Sequence, residues 1–181
     1  MTDRLPTLSA ARVRLRWLED RDVDDLFAIF GDREVARYWS SPAMVDRSAA
    51  EDLLRRIGEH FVAGDLYQWG IADERDRIIG TCTIAWIDRT HRRAEIGFAL
   101  GSAHWGRGLA REAVARTLAY AFDELGLHRI EADVDPRNDR SLALLERLGF
   151  RREGLLRERW HVAGEICDSV MLGLLAHERV V

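Results

Sequence analysis

Hydrophobic positions in the first half of the chain predict one strand, two helices and then three antiparallel strands. Val13, Leu15 and Trp17 alternate with arginines, which is the period of a half-buried strand. Apolar side chains then recur at helical spacing in two stretches, 23–30 and 50–61. Turn residues separate the three strands predicted after them, which are 67–72, 78–87 and 94–100.

The second half of the pattern predicts a long helix, a strand, a short helix and two last strands. Apolar residues at helical spacing favour a helix over 108–125, which Gly126 ends. A strand at 129–134 comes next, and leucines at helical spacing then predict a short helix that ends at Gly149. The last two strands are predicted at 152–160 and 166–174. This order predicts one mixed α/β domain over 1–181, with about seven strands, four helices and one crossover.

The composition excludes several chemistries. All 27 basic residues are arginine, and the chain of 181 residues contains no lysine. A lysine Schiff base and a Walker-type phosphate loop are therefore both excluded. A net charge of −4 and a pI of about 5.9 argue against a general nucleic-acid binder.

Cysteines, histidines and apolar runs point to neither a metal centre nor a membrane protein. Cys82 and Cys167 form no C-x-x-C pair and lie in apolar runs, which predicts buried free thiols. The six histidines show no metal-ligand spacing, so no metal is expected. Without a run of 18 apolar residues or an apolar N-terminal segment, the expected location is the cytoplasm.

A glycine-containing loop between a strand and the long helix is the first candidate site. After 95–100, the loop carries Gly106 and Gly108 and opens into the helix. First-turn N–H groups of a helix have no intrahelical partner, so such a loop suits a phosphate or pyrophosphate. Arg107 and Arg111 add positive charge at the same place. The alternative is that the glycines only mark a strand-to-helix turn.

The second candidate site is the segment 135–150, which opens the short helix. Asn138 is the only asparagine of the chain, and Ser141 lies one helical turn beyond it. Asn138 can cap the helix, offer its amide to a ligand, or do both. Capping alone remains the alternative interpretation of this pair.

Together the two motifs resemble the GCN5-related N-acetyltransferases, and more closely their RimJ/RimL-type branch. The residues from Trp105 to Ala110 match the family's pyrophosphate-binding signature, with Trp105 at the usual Gln or Arg position. Residues 148–150 match its closing Leu-Gly-Phe element. The resemblance implies a mostly antiparallel sheet with a splayed parallel strand pair, and acetyl-CoA as cosubstrate. It also implies a set of cofactor-binding residues: Phe98, Leu100, Trp105, Gly106, Arg107, Gly108, Leu109, Ala110, Arg111, Asn138 and Ser141.

The same resemblance assigns expected catalytic roles. The backbone N–H of Phe98 would polarise the thioester carbonyl, and Glu95 would act as general base through a water. An ion pair of Glu95 with Arg93 or Arg129 is the alternative. Many family members use a tyrosine as the general acid, and Leu145 stands at that position here. Ser141 or solvent, and more weakly Tyr120, remain as the proton donor.

On the acceptor side, the resemblance implies that Tyr38 and Trp39 wall a pocket for the amine, although Trp39 can equally be packing. The 3′-phosphate of CoA would meet either an arginine cluster such as Arg92-Arg93 or Arg151-Arg152, or the pair Arg137 and Arg140. The expected reaction is acetyl transfer to a primary amine, such as the N-terminus of a ribosomal or other protein or a small molecule. The expected protein is a monomer or homodimer without stable nucleic-acid or membrane partners.

Two alternatives stay open on the sequence alone. An acyl-CoA sensor without turnover is one, because Leu145 occupies the tyrosine position. A dinucleotide-binding oxidoreductase is the other, but its G-x-G-x-x-G/A motif would need a small residue where Arg111 stands.

Overall fold

One eight-stranded sheet organises the computed structural model, which describes residues 4–179. The strands lie in the spatial order β1-β2-β3-β4-β5-β6-β8-β7. Their bounds are β1 Leu8–Ser9, β2 Arg14–Arg16, β3 Leu66–Ala72, β4 Ile78–Asp88, β5 Arg93–Leu100, β6 Arg129–Val134, β7 Arg151–Val162 and β8 Glu165–Leu175.

Five α-helices connect the strands, and their ends follow the capping residues of the sequence. Asp46 caps the N-terminus of the third helix through the Ala49 N–H, and Gly64 ends it in a left-handed conformation. The fourth helix begins after the glycine loop. The bounds are α1 Val23–Phe30, α2 Arg33–Ala36, α3 Arg47–Ala63, α4 Leu109–Asp123 and α5 Asp139–Arg147.

The sheet separates two apolar cores, one on each face. Buried side chains of α4 and α5 pack on one face with residues such as Trp69 and Ile84. The smaller core on the other face contains α1 and α3 with Ala72, Ile78 and Ala99. Because neighbouring strand residues point to opposite faces, the near-continuous apolar runs of β3 and β4 fill both cores.

Strands β5 and β6 form the one parallel pair among the described residues, and this pair separates early. Its pairing runs from Arg93 and Arg129 to Glu95 and Glu131 and covers only three residue pairs. The other neighbouring strands pair antiparallel. A doubly wound parallel sheet is therefore absent from the described chain, which rules out the dinucleotide-binding alternative.

The predicted mixed α/β fold with its splayed strands is confirmed, with two small additions. The two-residue β1 and the four-residue α2 were not expected, which brings the sheet to eight strands and the helices to five. The prediction of two buried thiols is wrong for Cys167. Cys82 is buried, but Cys167 is only half-buried because it lies near the exposed end of the β7–β8 hairpin.

Candidate functional site

A cleft opens where β5 and β6 part, and its floor comes from both strands. Beyond the Glu95–Glu131 pair, β5 runs on to Leu100 and β6 to Val134 without pairing to each other. A cavity of about 190 Å³ lies there. Glu95, Gly97 and Phe98 line it from β5, and residues 132–135 line it from β6 and the turn after it. Backbone groups along separated strands can bind an extended ligand as an added strand does.

The glycine loop at one end of the cleft has the backbone geometry expected of an anion site. Gly106 and Gly108 have φ of +73° and +77°, a left-handed conformation that glycine adopts without strain. Gly108 is the N-cap of α4, and no side chain caps the first turn of that helix. Its free N–H groups and the helix dipole therefore remain available to a phosphate.

Side chains around the loop divide between solvent and core. Arg107 and Arg111 are exposed, and neither takes part in an ion pair with any residue in the range 4–179. Leu109 is 5% exposed and belongs to the core, and Ala110 is half-buried. The loop thus offers two uncommitted positive charges, while the next turn anchors it to the fold.

Trp105 is held by the protein itself. Its indole N–H donates a 2.7 Å hydrogen bond to the Leu100 carbonyl, and its ring packs against both apolar cores. The Arg140 guanidinium lies 4.8 Å above the ring. Trp105 therefore fixes the loop, and its ring places Arg140 beside it.

Asn138 and Ser141 line the cleft, and their mutual contact is a helix cap. The Asn138 side-chain oxygen accepts the Ser141 backbone N–H at 3.2 Å at the start of α5. Leu145, at the position of the family's tyrosine, is fully buried in the wall. Tyr120 is directed into the core, where its ring packs against Trp69 at 5.3 Å. This packing removes Tyr120 as a candidate proton donor.

Glu95 is half-buried at the point where the strands part. The alternative ion pairs do not form, because Arg93 contacts Asp88 and Glu131, and Arg129 contacts Glu131 and Glu153. Loss of hydration raises the pKa of Glu95 to about 7, and the negative charge of nearby Asp133 adds to this effect. A carboxyl group with this pKa can accept a proton near neutral pH.

Asp133 is a site residue that neither of the two acetyltransferase motifs indicated. Its side chain is 7% exposed and lies on β6 beside the cavity. The carboxylate accepts hydrogen bonds from Arg159 Nε at 2.5 Å, from Trp160 Nε1 at 3.3 Å and from the Ser169 hydroxyl. It thereby ties β6 to β7 and β8 at the cleft.

The other end of the cavity has aromatic walls and acidic groups. Tyr38 and Trp39 line it from the loop before α3, and Trp160 lines it from β7. Trp39 also packs edge-on against Phe30 at 5.3 Å, so its packing and lining roles coincide. Asp168 lines the same end and accepts a backbone N–H from Glu158.

Arg137 is committed to neighbouring carboxylates. It contacts Asp135 at 2.6 Å and Glu165 at 2.5 Å, and it lies 5.9 Å from the Tyr38 ring centroid. It also donates to the Cys167 sulfur at 3.4 Å. Of the pair Arg137 and Arg140, Arg140 is therefore the one placed beside the glycine loop, over the Trp105 ring.

The described residues contain neither a group of metal-ligating side chains nor a helix that could cross a membrane. Between residues 4 and 179, no three or more histidine, cysteine or acidic side chains are grouped so as to hold a metal ion. No helix in that range combines the length and hydrophobicity needed to span a bilayer.

Comparison with known proteins adds a family match to this geometry. A family model described as "Acetyltransferase (GNAT) domain" matches residues 12–151. An uncharacterized N-acetyltransferase p20 from Bacillus licheniformis is 40% identical over 175 residues, which is 96% of this chain and 98% of the relative.

Two solved structures share the fold over nearly the whole chain. Spermidine N-acetyltransferase from Vibrio cholerae, in complex with CoA and spermine, superposes with a TM-score of 0.82 at 27% identity, covering 92% of this chain and 97% of that one. RimJ from Mycobacterium smegmatis, in complex with CoA-disulfide, gives a TM-score of 0.86 at 27% identity, covering 96% and 88%.

Proposed function

The chain belongs to the GNAT acetyltransferase family, and on that premise we propose that it acetylates the N-terminal α-amine of a ribosomal or other protein. It is an N-acetyltransferase, and its cosubstrate is acetyl-CoA. Because the chain is an N-acetyltransferase, the alternative of an acyl-CoA sensor without turnover no longer applies. The observation that carries the proposed acceptor is Glu95, a half-buried carboxyl group with a pKa of about 7 in the cleft.

Three features of the cleft and the glycine loop support the binding of acetyl-CoA. A Cβ added at Gly106 would meet no atom within 4 Å, so a bulky diphosphate has room to approach that backbone. The uncapped first turn of α4, with Arg107 and Arg111, would hold the pyrophosphate, and Arg140 the 3′-phosphate. The unpaired edge of β5 would hold the pantetheine. Bound acetyl-CoA supplies an activated acyl group and a thiolate leaving group.

Glu95 would take the proton that the attacking amine must lose. The pKa of a protein α-amine is about 7.7–8.0, so transfer to a group near 7 is uphill by only about tenfold. A lysine amine, with a pKa of about 10.4, would make the same transfer uphill by more than about a thousandfold. This difference favours an N-terminal α-amine as the acceptor. The Phe98 backbone N–H would stabilise the charge that develops on the carbonyl oxygen.

Proton return to the leaving thiolate needs less help. A thiol has a reference pKa of about 8.5, so the thiolate is already close to stable at neutral pH. Leu145 offers no proton, and Ser141 is the hydroxyl that we propose for this role, with solvent as its substitute. If the Ser141→Ala variant kept full activity, Ser141 would act in binding or capping only.

A polycationic small molecule is the second candidate acceptor. Glu95 and Asp168 both line the cavity, and no residue in the range 4–179 forms an ion pair with either. Two uncompensated carboxylates would attract an acceptor with more than one positive charge. A relative from Vibrio cholerae, 28% identical over 165 residues, is named a spermidine N(1)-acetyltransferase.

Mass spectrometry of three acceptors incubated with acetyl-CoA tests the proposal. The acceptors are a peptide with a free α-amine and no lysine, its Nα-blocked counterpart with one lysine, and spermidine. We expect acetylation of the free α-amine alone. Preferential acetylation of spermidine would overturn the proposal in favour of the second candidate, and acetylation of the lysine peptide would overturn both. Because the chain itself has no lysine, any Nε-acetyl group must come from the acceptor.

A further inference from the structure

We propose that Asp133 and Arg159 are positioning residues that act on Glu95 as a pair of opposed charges across the splayed strands. The proposal rests on the proposed role of Glu95 as general base. It assigns a function to a buried carboxylate and a β7 arginine that neither bind the glycine loop nor belong to a sequence motif of the family.

The strand register places Asp133 and Glu95 on the same side of the sheet. Glu95 pairs with Glu131, and Asp133 follows Glu131 by two residues, so the three side chains share one face. Strand pairing ends at Glu131, and Asp133 therefore stands where the cleft begins. Both Glu95 and Asp133 line the cavity. The negative charge that Asp133 carries faces the cleft in which Glu95 must ionise.

Three donors from two other strands hold the Asp133 carboxylate in this position. Arg159 on β7 contacts it at 2.5 Å through Nε, and the neighbouring Trp160 donates through its indole N–H. Ser169 on β8 donates its hydroxyl. Three donors on two strands fix the orientation of the Asp133 carboxylate beside the cleft. Arg159, whose side chain is 36% exposed, brings the compensating positive charge.

The two charges act on Glu95 in opposite directions. Burial contributes most to the raised pKa of Glu95, Asp133 raises it further, Arg159 lowers it, and Glu131 raises it weakly. The other charged or titratable groups lining the cavity are Arg37, Tyr38, Asp135, Glu165, Cys167 and Asp168. Asp135 and Glu165 both contact Arg137, whose single positive charge they share. A general base is most effective when its pKa lies near the working pH, and this balance keeps Glu95 there.

The decisive experiment measures the pKa of Glu95 in three full-length variants. Carboxyl carbons are labelled with ¹³C, the Glu95 signal is identified as the one missing in Glu95→Gln, and pH is titrated by NMR. We expect Asp133→Asn to lower the pKa of Glu95 and Arg159→Gln to raise it, each by about 0.5 unit or more. The double variant should return to within about 0.2 unit of the wild type, because both charges are then gone.

Two further variants separate tuning from a structural role. Arg159→Lys keeps the positive charge and should leave the Glu95 titration close to wild type. Glu146→Gln removes the carboxylate partner of another β7 arginine, Arg152, away from the cavity, and should leave Glu95 unchanged. If Asp133→Asn fails to fold, the comparison of Arg159→Gln with Arg159→Lys still decides the question. Shifts in the same direction for Asp133→Asn and Arg159→Gln, or no shift in either, would overturn the inference.

The pH dependence of kcat/KM then distinguishes this inference from the proposed function. Its rising limb should move with the NMR titration, down in Asp133→Asn and up in Arg159→Gln. A limb that stays fixed while the NMR titration moves would support the charge pair and overturn Glu95 as the base. If Asp133→Asn and Arg159→Gln shift the pKa of Glu95 in opposite directions, and the rising limb of kcat/KM follows in each variant, both the charge pair and the role of Glu95 as base are supported.

Discussion

Glu95 becomes a candidate base through its position in the folded structure, where β5 and β6 separate. It lies at the last pairing position before two strands part, so it loses water on one side and faces ligand space on the other. No arginine compensates this loss with a direct contact, because Arg93 and Arg129 are bound to other carboxylates. The resulting pKa of about 7 is what base catalysis at neutral pH requires.

The first prediction concerns the Glu95→Gln variant. Glutamine keeps the size of the side chain but cannot take a proton, so kcat/KM at pH 8 should fall by about 10²–10⁴-fold. The part of the rising limb that Glu95 produces near pH 7 should disappear, which leaves the titration of the acceptor α-amine at about 7.7–8.0. Initial rates between pH 5.5 and 9 with an α-amine peptide measure both effects.

Coenzyme A binding is the control for that variant, because Glu95 does not belong to the glycine loop. The increase in melting temperature produced by CoA should match that of the wild type. A Glu95→Gln variant with unchanged kcat and an intact pH profile would remove Glu95 from the mechanism.

At this scale, sequence reasoning could identify only residues that a motif marks. Glu95 was proposed as the base because it lies on a recognisable strand, just before the position expected to polarise the carbonyl. Asp133 was not proposed for the acetyltransferase site, because its role depends on β6, β7 and β8 meeting. Its three donors lie 26–36 residues away in the chain. The interpretation of Asn138 as a helix cap was confirmed because that contact spans only three residues. The ligand-binding roles remain predictions.

The glycine loop shows how one local conformation joins a strand to a binding helix. The chain must turn sharply after β5 and still present the bare N-terminus of α4, and the left-handed Gly106 and Gly108 make that turn. A side chain at Gly108 would also approach Arg12 Nη2 to 3.2 Å. Arg12 in turn contacts Glu112 in the first turn of α4.

The second prediction compares two glycine-to-alanine variants. Gly108→Ala should lower the melting temperature by about 2–6 °C, since a left-handed alanine costs about 1–2 kcal/mol. It should also raise the KM for acetyl-CoA. Gly58→Ala is the matched control, because Gly58 lies inside α3 and an added Cβ meets nothing within 4 Å. It should raise the melting temperature by about 1–3 °C, since alanine favours a helix by about 0.5–1 kcal/mol. Equal effects in the two variants would contradict this account of the loop.

Elements with a full hydrophobic period were predicted well, and very short ones were not. The long helix and the β3–β4 hairpin appear within a few residues of their predicted bounds. Strand β1 has two residues and α2 has four, too few for a period to be visible. Strand β7 was predicted to within two residues at each end, although it is exposed along almost its whole length. Leu155 and Ile166 of the β7–β8 hairpin are 53% and 55% exposed.

For the molecule as a whole, the burial that raises the pKa of Glu95 also lowers the free energy of unfolding at neutral pH. The folded protein holds the Glu95 proton up to a pKa of about 7, against an ordinary value of 4.5 in the unfolded chain. Between these values the folded state binds more protons than the unfolded state. The free energy of unfolding therefore falls as pH rises through this window, and the loss is complete above pH 7. As pH rises, ionisation of Glu95 is therefore expected to increase activity and to decrease stability.

The third prediction tests that opposition with Glu95→Gln in chemical denaturation between pH 4.5 and 8. Glutamine resembles the protonated form at every pH, so the variant should be more stable than the wild type at pH 8, by about 1–2 kcal/mol after allowance for the solvent contact of the carboxylate. The difference should shrink toward zero near pH 4.5, where Glu95 is protonated in the folded state and increasingly so in the unfolded chain. Glu146→Gln, which changes a surface carboxylate, should show no comparable gain at pH 8. A stability difference that stays constant across the range would mean that Glu95 does not titrate near 7, and the proposed base would then lose its physical support.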